Sequence, residues 1–217
     1  MKKILSLIFS MIIFCNISYA SNASGLCAKD ALQKLEEGNK HFASMHLKHP
    51  DISKKRLHSL EHGQNPFVAI LSCSDSRVPP EIIFDQGLGD IFEIRNAGNV
   101  LDNQVIGSIE YALAHLGVKL VVILGHTDCG AVNATINNNH ESKYIESLTD
   151  FITPAVQKAK TQEGDLYTNT SCINAKNAAE GLINSDSKII KKYIKNNDVL
   201  IIPAIYDIHT GKVEFLK

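Results

Sequence analysis

Short runs dominated by apolar residues recur along the chain from residue 67 onward. They lie at 67–71, 91–94, 120–124 and 199–202, each bounded by polar, glycine or proline residues. Such runs are typical of strands that helices cover on both faces of a parallel sheet. Apolar positions follow a helical spacing over 103–116, 131–136 and 172–194. Strands that alternate with helices predict an α/β fold with a central, mostly parallel β-sheet flanked by helices.

The pattern changes at both ends of this region. Apolar positions over 26–45 fall on one helical face, and 53–62 predicts a second short helix that ends at Gly63. At the other end, a turn around Gly211 precedes an apolar segment at 213–216, which predicts an antiparallel edge strand. The sheet is therefore expected to follow an N-terminal pair of helices.

The first twenty residues have the layout of a secretory signal peptide. Two lysines precede an apolar stretch over 4–17, and Ser18 and Ala20 occupy the −3 and −1 positions of a cleavage site. The stretch is shorter than the roughly 20 residues that span a bilayer, which disfavours a membrane anchor. We predict a signal peptide at 1–20 and a single domain at 21–217, periplasmic or secreted, with no membrane association after cleavage near Ala20.

Composition and charge narrow the function classes. The chain is 44% hydrophobic and 21% charged, which is ordinary for a globular protein and disfavours disorder. Its 22 basic residues face 23 acidic ones, so it lacks the basic field of a nucleic-acid-binding protein. No glycine-rich phosphate loop follows a predicted strand, which disfavours a nucleotide-binding module. We therefore expect no nucleic-acid partner.

Residues with metal-binding and acid–base chemistry follow two of the predicted strands. Cys73, Asp75 and Arg77 come after the first strand, and His126 and Cys129 come after the third. Ligands of open α/β sheets bind at the carboxyl ends of the strands. These side chains are therefore placed where a site is expected.

Two cysteines and one histidine in this group form a zinc-binding set. The pair at 126 and 129, flanked by glycines, places two ligands where a strand turns into a helix, and Cys73 supplies a third. A fourth position left to water is typical of catalytic rather than structural zinc. The alternative is a disulfide between Cys73 and Cys129, which an oxidising compartment would favour. This pattern alone leaves both open.

Asp75 and Arg77 stand next to the predicted ligands. An arginine two residues from a carboxylate can keep it ionised through a bidentate hydrogen bond. Beside a metal, such a carboxylate can accept a hydrogen bond from bound water and fix its orientation. The alternative is an ordinary surface ion pair, which contributes little. The position directly after an apolar strand favours the site.

Three motifs together resemble the β-class carbonic anhydrases, and the chain resembles an exported bacterial member. They are Cys-Ser-Asp-Ser-Arg at 73–77, Arg-Asn-Ala-Gly-Asn at 95–99 and Gly-His-Thr-Asp-Cys-Gly at 125–130. The resemblance is dense over 67–132 and returns at 204–207. It implies zinc held by Cys73, His126 and Cys129, and reversible hydration of carbon dioxide to bicarbonate and a proton.

The resemblance also implies roles for residues outside the ligand set. Asp75 and Arg77 match the family's Asp–Arg dyad, whose Asp in some members leaves the Arg and becomes the fourth zinc ligand at low pH. Arg95 and Tyr206 match two of the three contacts of a non-catalytic bicarbonate site. The third contact is a Trp in the family, and Ile70 stands at that position here.

Partners and alternatives follow from the same resemblance. We expect a homodimer or homotetramer whose N-terminal helices pack on the partner subunit, with Val78 lining an apolar slot for carbon dioxide. Hydrolases of carbonyl sulfide or carbon disulfide share the ligand set, and a non-catalytic zinc or thiol protein is a further alternative. A disulfide between Cys27 and Cys172 is left open. The N-terminal histidines are expected on solvated helix faces, so no proton shuttle is identified.

Overall fold

A five-stranded sheet organises the computed structural model, which describes residues 26–139 and 141–217. The strand order is β2-β1-β3-β4-β5. Neighbouring strands among the first four are parallel, and β5 is antiparallel to β4. The strands are β1 (Val68–Cys73), β2 (Ile91–Asn96), β3 (Leu120–His126), β4 (Leu200–Tyr206) and β5 (Val213–Phe215). The predicted fold class is confirmed, including the antiparallel edge strand.

Helices cover both faces of the sheet. They are α1 (Ala28–Ala43), α2 (Lys54–Ser59), α3 (Pro80–Ile83), α4 (Asn103–Leu116), α5 (Gly130–Ile136), α6 (Lys143–Ala159), α7 (Leu166–Ile183) and α8 (Lys188–Lys195). No helix in 26–139 or 141–217 is both long and apolar enough to cross a membrane. The predicted signal peptide lies outside the described residues.

The central strands are buried on both sides, as their apolar runs predict. Leu71 and Ile123 belong to a core cluster with side chains of α4, α7 and α8, whereas Ile70 and Leu124 belong to a cluster with side chains of α1 and α3. Both residues of each pair are fully buried. Alternate positions of one strand therefore point to opposite cores.

The boundaries of α4 coincide with the predicted segment because both ends carry strong signals. Asp102 caps the helix by accepting a hydrogen bond from the Val105 N–H at 2.8 Å. The helix stops at Gly117, whose φ of +68° is a left-handed conformation that glycine adopts without strain.

The prediction of one long helix over 172–194 is wrong. The structure has two helices there, α7 and α8, because Ser187 ends the connection by accepting a hydrogen bond from the Ile190 N–H at 3.0 Å and so starts a new helix. Helix α6 was not predicted, although its buried positions Ile152, Val156 and Ala159 follow a helical spacing. The prediction also left out the start of α7, where the buried residues Thr170 and Ser171 are polar and give no apolar periodicity.

Helix α1 packs on its own chain through buried Ala31 and Leu35, so packing on a partner subunit stays a prediction. The four cysteines of the described residues are free thiols. Cys27 caps α1 and Cys172 lies in α7, and these helices cover opposite faces of the sheet. The Cys27–Cys172 disulfide is therefore absent, because the sheet separates the two helices.

Candidate metal centre

The three predicted ligands meet at the carboxyl edge of the sheet. Cys73 ends β1, His126 ends β3, and Cys129 directly precedes α5. One ligand atom from each residue lies within 4.8 Å of the other two, and the three side chains are buried. The structure therefore brings together the group that the strand ends predicted, with Cys73 and Cys129 as free thiols rather than a disulfide.

The histidine is oriented as a metal ligand. His126 Nδ1 lies 2.8 Å from the Thr127 carbonyl oxygen. A carbonyl can only accept, so Nδ1 carries the proton and Nε2 presents a lone pair. That Nε2 atom is buried and has no hydrogen-bond partner. A buried acceptor without a partner is costly, and coordination to a cation would satisfy it.

The two sulfur atoms also fit a divalent cation. A hydrogen bond from the Cys129 thiol lowers the pKa of Cys73, although burial opposes this. The same bond, with burial, raises the pKa of Cys129. The pair therefore holds one proton between two sulfur atoms, because two buried thiolates would repel each other. Binding of a metal would release that proton. Thiolate and imidazole ligands together suit zinc.

Gly98 contributes directly to this centre. Its backbone N–H donates to Cys73 Sγ at 3.3 Å and helps to lower the pKa of that thiol. Its φ is +77°, and a Cβ at this position would lie 2.8 Å from Ile152 Cδ1. The position needs both a left-handed backbone and a close approach to α6, and glycine meets both needs without strain.

Asn174 is a supporting residue that the sequence analysis missed. It lies in α7, is 4% exposed, and donates from Nδ2 to the Gly98 carbonyl at 2.9 Å. This bond fixes the turn whose N–H reaches the Cys73 sulfur. No sequence pattern indicates this role, because the burial that shows Asn174 to have a specific partner is visible only in the structure.

Asp75 and Arg77 form the predicted bidentate pair. Arg77 Nε donates to Asp75 Oδ1 at 2.9 Å, and Arg77 Nη2 donates to Asp75 Oδ2 at 2.8 Å. These side-chain bonds lower the pKa of Asp75 to about 2 despite its burial. Arg77 Nη2 also donates to the Asp128 carbonyl at 3.1 Å. The pair therefore connects the two loops that carry the metal ligands.

Arg95 holds the backbone of the same region. Its Nε donates to the Cys73 carbonyl at 2.9 Å and its Nη2 to the Asp75 carbonyl at 2.6 Å. Glu93 Oε1 lies 3.4 Å from Arg95 Nε. Burial, with the nearby Glu81 carboxyl, raises the pKa of Glu93 to about 7. The guanidinium that was predicted to bind bicarbonate is thus engaged with two carbonyl groups.

The structure does not bring Arg95 and Tyr206 into contact. They lie on β2 and β4, which are separated by β1 and β3, so their backbones are about 14 Å apart at the usual strand spacing. Tyr206 is buried and packs beside Phe42, with ring centroids 6.3 Å apart. Ile70 is fully buried in the core below.

Val78 does not line an open slot. It is fully buried in the core cluster that contains Ile70 and Phe84, because the chain turns inward after the Val78 N–H donates to the Asp75 carbonyl. Val78 has no exposed surface in the described chain, and its placement in a substrate pocket stays a prediction. A cavity of about 290 Å³ instead opens beside the ligand loop, lined by Asp128, Cys129, Gly130, Asn133, Ala134, Asn139 and Tyr167.

Comparisons with known proteins all show similarity to carbonic anhydrases. A family model described as carbonic anhydrase matches residues 68–213. A carbonic anhydrase of Mycolicibacterium smegmatis is 44% identical over 130 residues, and carbonic anhydrase 2 of Mycobacterium tuberculosis is 45% identical over 130 residues. Each alignment covers 58% of this chain and 63% of the relative, so the chain spans less than two thirds of their length.

A solved structure extends the similarity to the fold. The beta-carbonic anhydrase CcaA superposes with a TM-score of 0.67 at 27% sequence identity. The superposition covers 87% of this chain and 89% of that one. The similarity therefore includes the sheet and the helices on both of its faces.

Proposed function

The chain belongs to the carbonic anhydrase family and has the fold of its beta class, and from this membership we propose that it catalyses the zinc-dependent, reversible hydration of carbon dioxide to bicarbonate and a proton. The observation that carries the proposal is the buried group of Cys73, His126 and Cys129 with the Asp75–Arg77 pair attached to the same two loops. Cys73, His126 and Cys129 would hold the ion.

Zinc in such a site keeps a position for water and lowers the pKa of that water towards about 7. The protein's contribution is to orient the reacting water. Asp75 is ionised at neutral pH because the Arg77 guanidinium lowers its pKa. It can therefore accept a hydrogen bond from the water and direct a lone pair towards the carbon atom. Arg77 is a positioning residue, since it acts by holding this carboxylate.

Asp75 also gives the proposal a pH dependence. In the structure its two oxygen atoms are held by Arg77, which is the arrangement expected of an active enzyme. We propose that at low pH Asp75 can leave Arg77 and take the fourth ligand position. Activity that stayed constant as the pH fell below about 7 would contradict this closed state.

The proposed location and assembly follow the sequence analysis: periplasmic or secreted, as a homodimer or homotetramer. A group of exposed apolar side chains supports an assembly, since exposed apolar patches mark interaction surfaces. Ile52, Ile82 and Leu88 are exposed and line one surface cavity. Sedimentation of the mature protein as a monomer would contradict the assembly, and uncleaved protein in the cytoplasm would contradict export.

Stopped-flow measurement of carbon dioxide hydration tests the function. The mature protein should be active with about one zinc per chain, inactive after chelation, and active again when zinc is restored. Cys129→Ser should lose both zinc and activity, whereas Cys27→Ser, which removes an exposed cysteine at the start of α1, should lose neither. Carbonyl sulfide and carbon disulfide are assayed in parallel. Zinc-loaded protein that hydrolyses these but does not hydrate carbon dioxide would overturn the proposal.

A further inference from the structure

The turn between β4 and β5 carries a histidine to the loop that holds two of the ligands. His209 Nε2 lies 2.8 Å from Asp128 Oδ2. Asp128 stands between His126 and Cys129 in the sequence and has a left-handed backbone with φ +53°. It also lines the cavity beside Cys129. The imidazole therefore contacts the loop that carries two of the ligands.

The position of His209 is fixed by more than its ion pair. Asp207 accepts hydrogen bonds from the His209 backbone N–H at 2.9 Å and from the Thr210 hydroxyl at 2.7 Å. The Thr127 hydroxyl, in the ligand loop, accepts from the Ile208 N–H at 3.1 Å. The turn is thus ordered internally and attached to the loop that it faces.

Charged groups reach the imidazole from two elements. Asp128 faces it from the ligand loop and Asp207 from its own turn. A hydrogen bond from the Thr210 hydroxyl lowers the pKa of Asp207, which keeps that carboxylate ionised. Arg77 Nη2 donates to the backbone carbonyl of Asp128. The His209 side chain is 71% exposed, so water and buffer reach it directly.

The proposed reaction needs a path for one proton. Each carbon dioxide hydrated with one water gives one bicarbonate and one proton, and the proton must leave before the next cycle. Imidazole gains and loses protons near neutral pH, which suits this task. Resting on the function proposed above, we propose that His209 is the proton-transfer residue of this enzyme and that Asp128 positions it.

The proton balance is simple. Neutral His209 keeps Nε2–H bonded to the Asp128 carboxylate and accepts the released proton at Nδ1 through intervening water, which makes it imidazolium. It then passes that proton to a buffer base and returns to the neutral form. No other bond forms or breaks. The carboxylate fixes the tautomer and stabilises the transient positive charge.

Two further histidines of the described residues, His41 in α1 and His58 in α2, also form ion pairs. His41 Nδ1 lies 3.1 Å from Asp85 Oδ2. His58 Nδ1 lies 2.7 Å from Glu61 Oε1 in α2, which attaches near the amino ends of the strands through Arg56 and Asp90. His58, like His209, is an imidazole paired with a carboxylate, but its partner does not lie in the ligand loop. It is therefore a matched control.

The test compares wild type, His209→Gln and His58→Gln by stopped-flow at low buffer concentration. Glutamine can still donate to Asp128 but cannot carry a proton. Proton export follows bicarbonate release in the cycle. Slower proton export therefore lowers kcat and leaves kcat/KM unchanged. We expect kcat of H209Q to fall about tenfold or more, kcat/KM to stay close to wild type, and added imidazole to restore kcat. H58Q should change neither constant.

Two kinetic results would overturn the inference while leaving the proposed function intact. One is an unchanged kcat for H209Q at low buffer concentration. The other is an equal loss of kcat and kcat/KM without imidazole rescue, which would indicate a structural role. An inactive, zinc-loaded wild type would instead overturn the proposed function itself.

Nitrogen-15 spectra of the histidine side chains give a readout that is independent of activity. In the zinc-loaded wild type above neutral pH, His209 should be predominantly the Nε2–H tautomer, because Nε2 faces the Asp128 carboxylate. This preference should weaken in Asp128→Asn, whereas His58 should not change. An equal mixture of tautomers in the wild type would contradict the positioning role of Asp128.

Discussion

Removal of the Arg77 guanidinium should return Asp75 towards the behaviour of an ordinary carboxyl group. Arg77→Met keeps an unbranched apolar side chain but removes the two donors, at 2.9 and 2.8 Å, that bind the carboxylate. The side-chain bonds from Arg77 are the largest cause of the lowered Asp75 pKa. The substitution therefore tests the origin of the charge on Asp75 directly.

The size of the effect follows from the pKa of Asp75, which is lowered from 3.8 to about 2. At 1.36 kcal/mol per unit this corresponds to about 2–3 kcal/mol of preference for the ionised form, or roughly 60-fold. Because the folded pKa is depressed, this contribution to stability is present above pH 4 and is lost as the pH falls from about 4 to 2. In R77M most of this contribution to stability should be absent at every pH.

Carbon-13 detection of the carboxyl groups measures the titration of Asp75 directly. The wild-type midpoint should lie near 2, and the R77M midpoint should rise towards 3.8. Asp85 is an internal control, since its pKa is also lowered but its partners are the Lys48 and His49 backbone N–H groups and His41, not Arg77. An unchanged Asp75 midpoint in R77M would refute the reasoning. Carbon dioxide hydration should fall in the same variant, because the carboxylate loses its orientation.

Further predictions concern stability and the cysteines. Gly98→Ala should lower the free energy of unfolding by about 1–3 kcal/mol and weaken zinc binding, because its Cβ meets Ile152 and its φ is positive; unchanged denaturation and zinc titration would contradict this. Burial raises the pKa of Asp85, but two backbone N–H bonds and His41 lower it overall. Asp85→Asn should therefore be destabilising by about 1–3 kcal/mol near neutral pH, and its difference from wild type, followed by urea unfolding, should shrink below about pH 4; a pH-independent difference would exclude a role for the charge. Thiol titration of unfolded, unreduced protein should find Cys27 and Cys172 both reactive, and recovery of a disulfide between them would contradict their placement on opposite faces.

The sheet and the ligand set were predictable because both depend on local signals. Apolar runs mark strands that are covered on two faces, and parallel strands bring their carboxyl ends to one edge. Cys73 and His126 each end a strand, so the adjacency of β1 and β3 places them together. The Asp75–Arg77 bond was equally local, since it joins residues two apart.

The extent of α7 was harder to predict because tertiary contacts override its sequence pattern. Helix α7 buries polar residues where an amphipathic helix would bury apolar ones, so its periodicity is weak. One of these residues is Asn174, which serves the turn at Gly98 rather than the helix. A buried polar residue that makes a hydrogen bond to another element interrupts the apolar periodicity by which its own helix would be predicted.

Hydrogen bonds to backbone carbonyl groups are the part of the site that motifs do not show. Three side chains donate to backbone carbonyl groups near the ligands. Arg95 donates to the carbonyl groups of Cys73 and Asp75. Asn174 donates to that of Gly98, and Arg77 to that of Asp128. Every residue type has the same backbone carbonyl, so the sequence does not show which carbonyl groups accept a hydrogen bond from a distant side chain. Cysteine and histidine identify the ligands themselves. The groups that hold those ligands in place are identified only when the backbone has been traced in three dimensions. For Arg95 that tracing adds a backbone-holding role that the motif did not show, and the possible bicarbonate site stays a prediction.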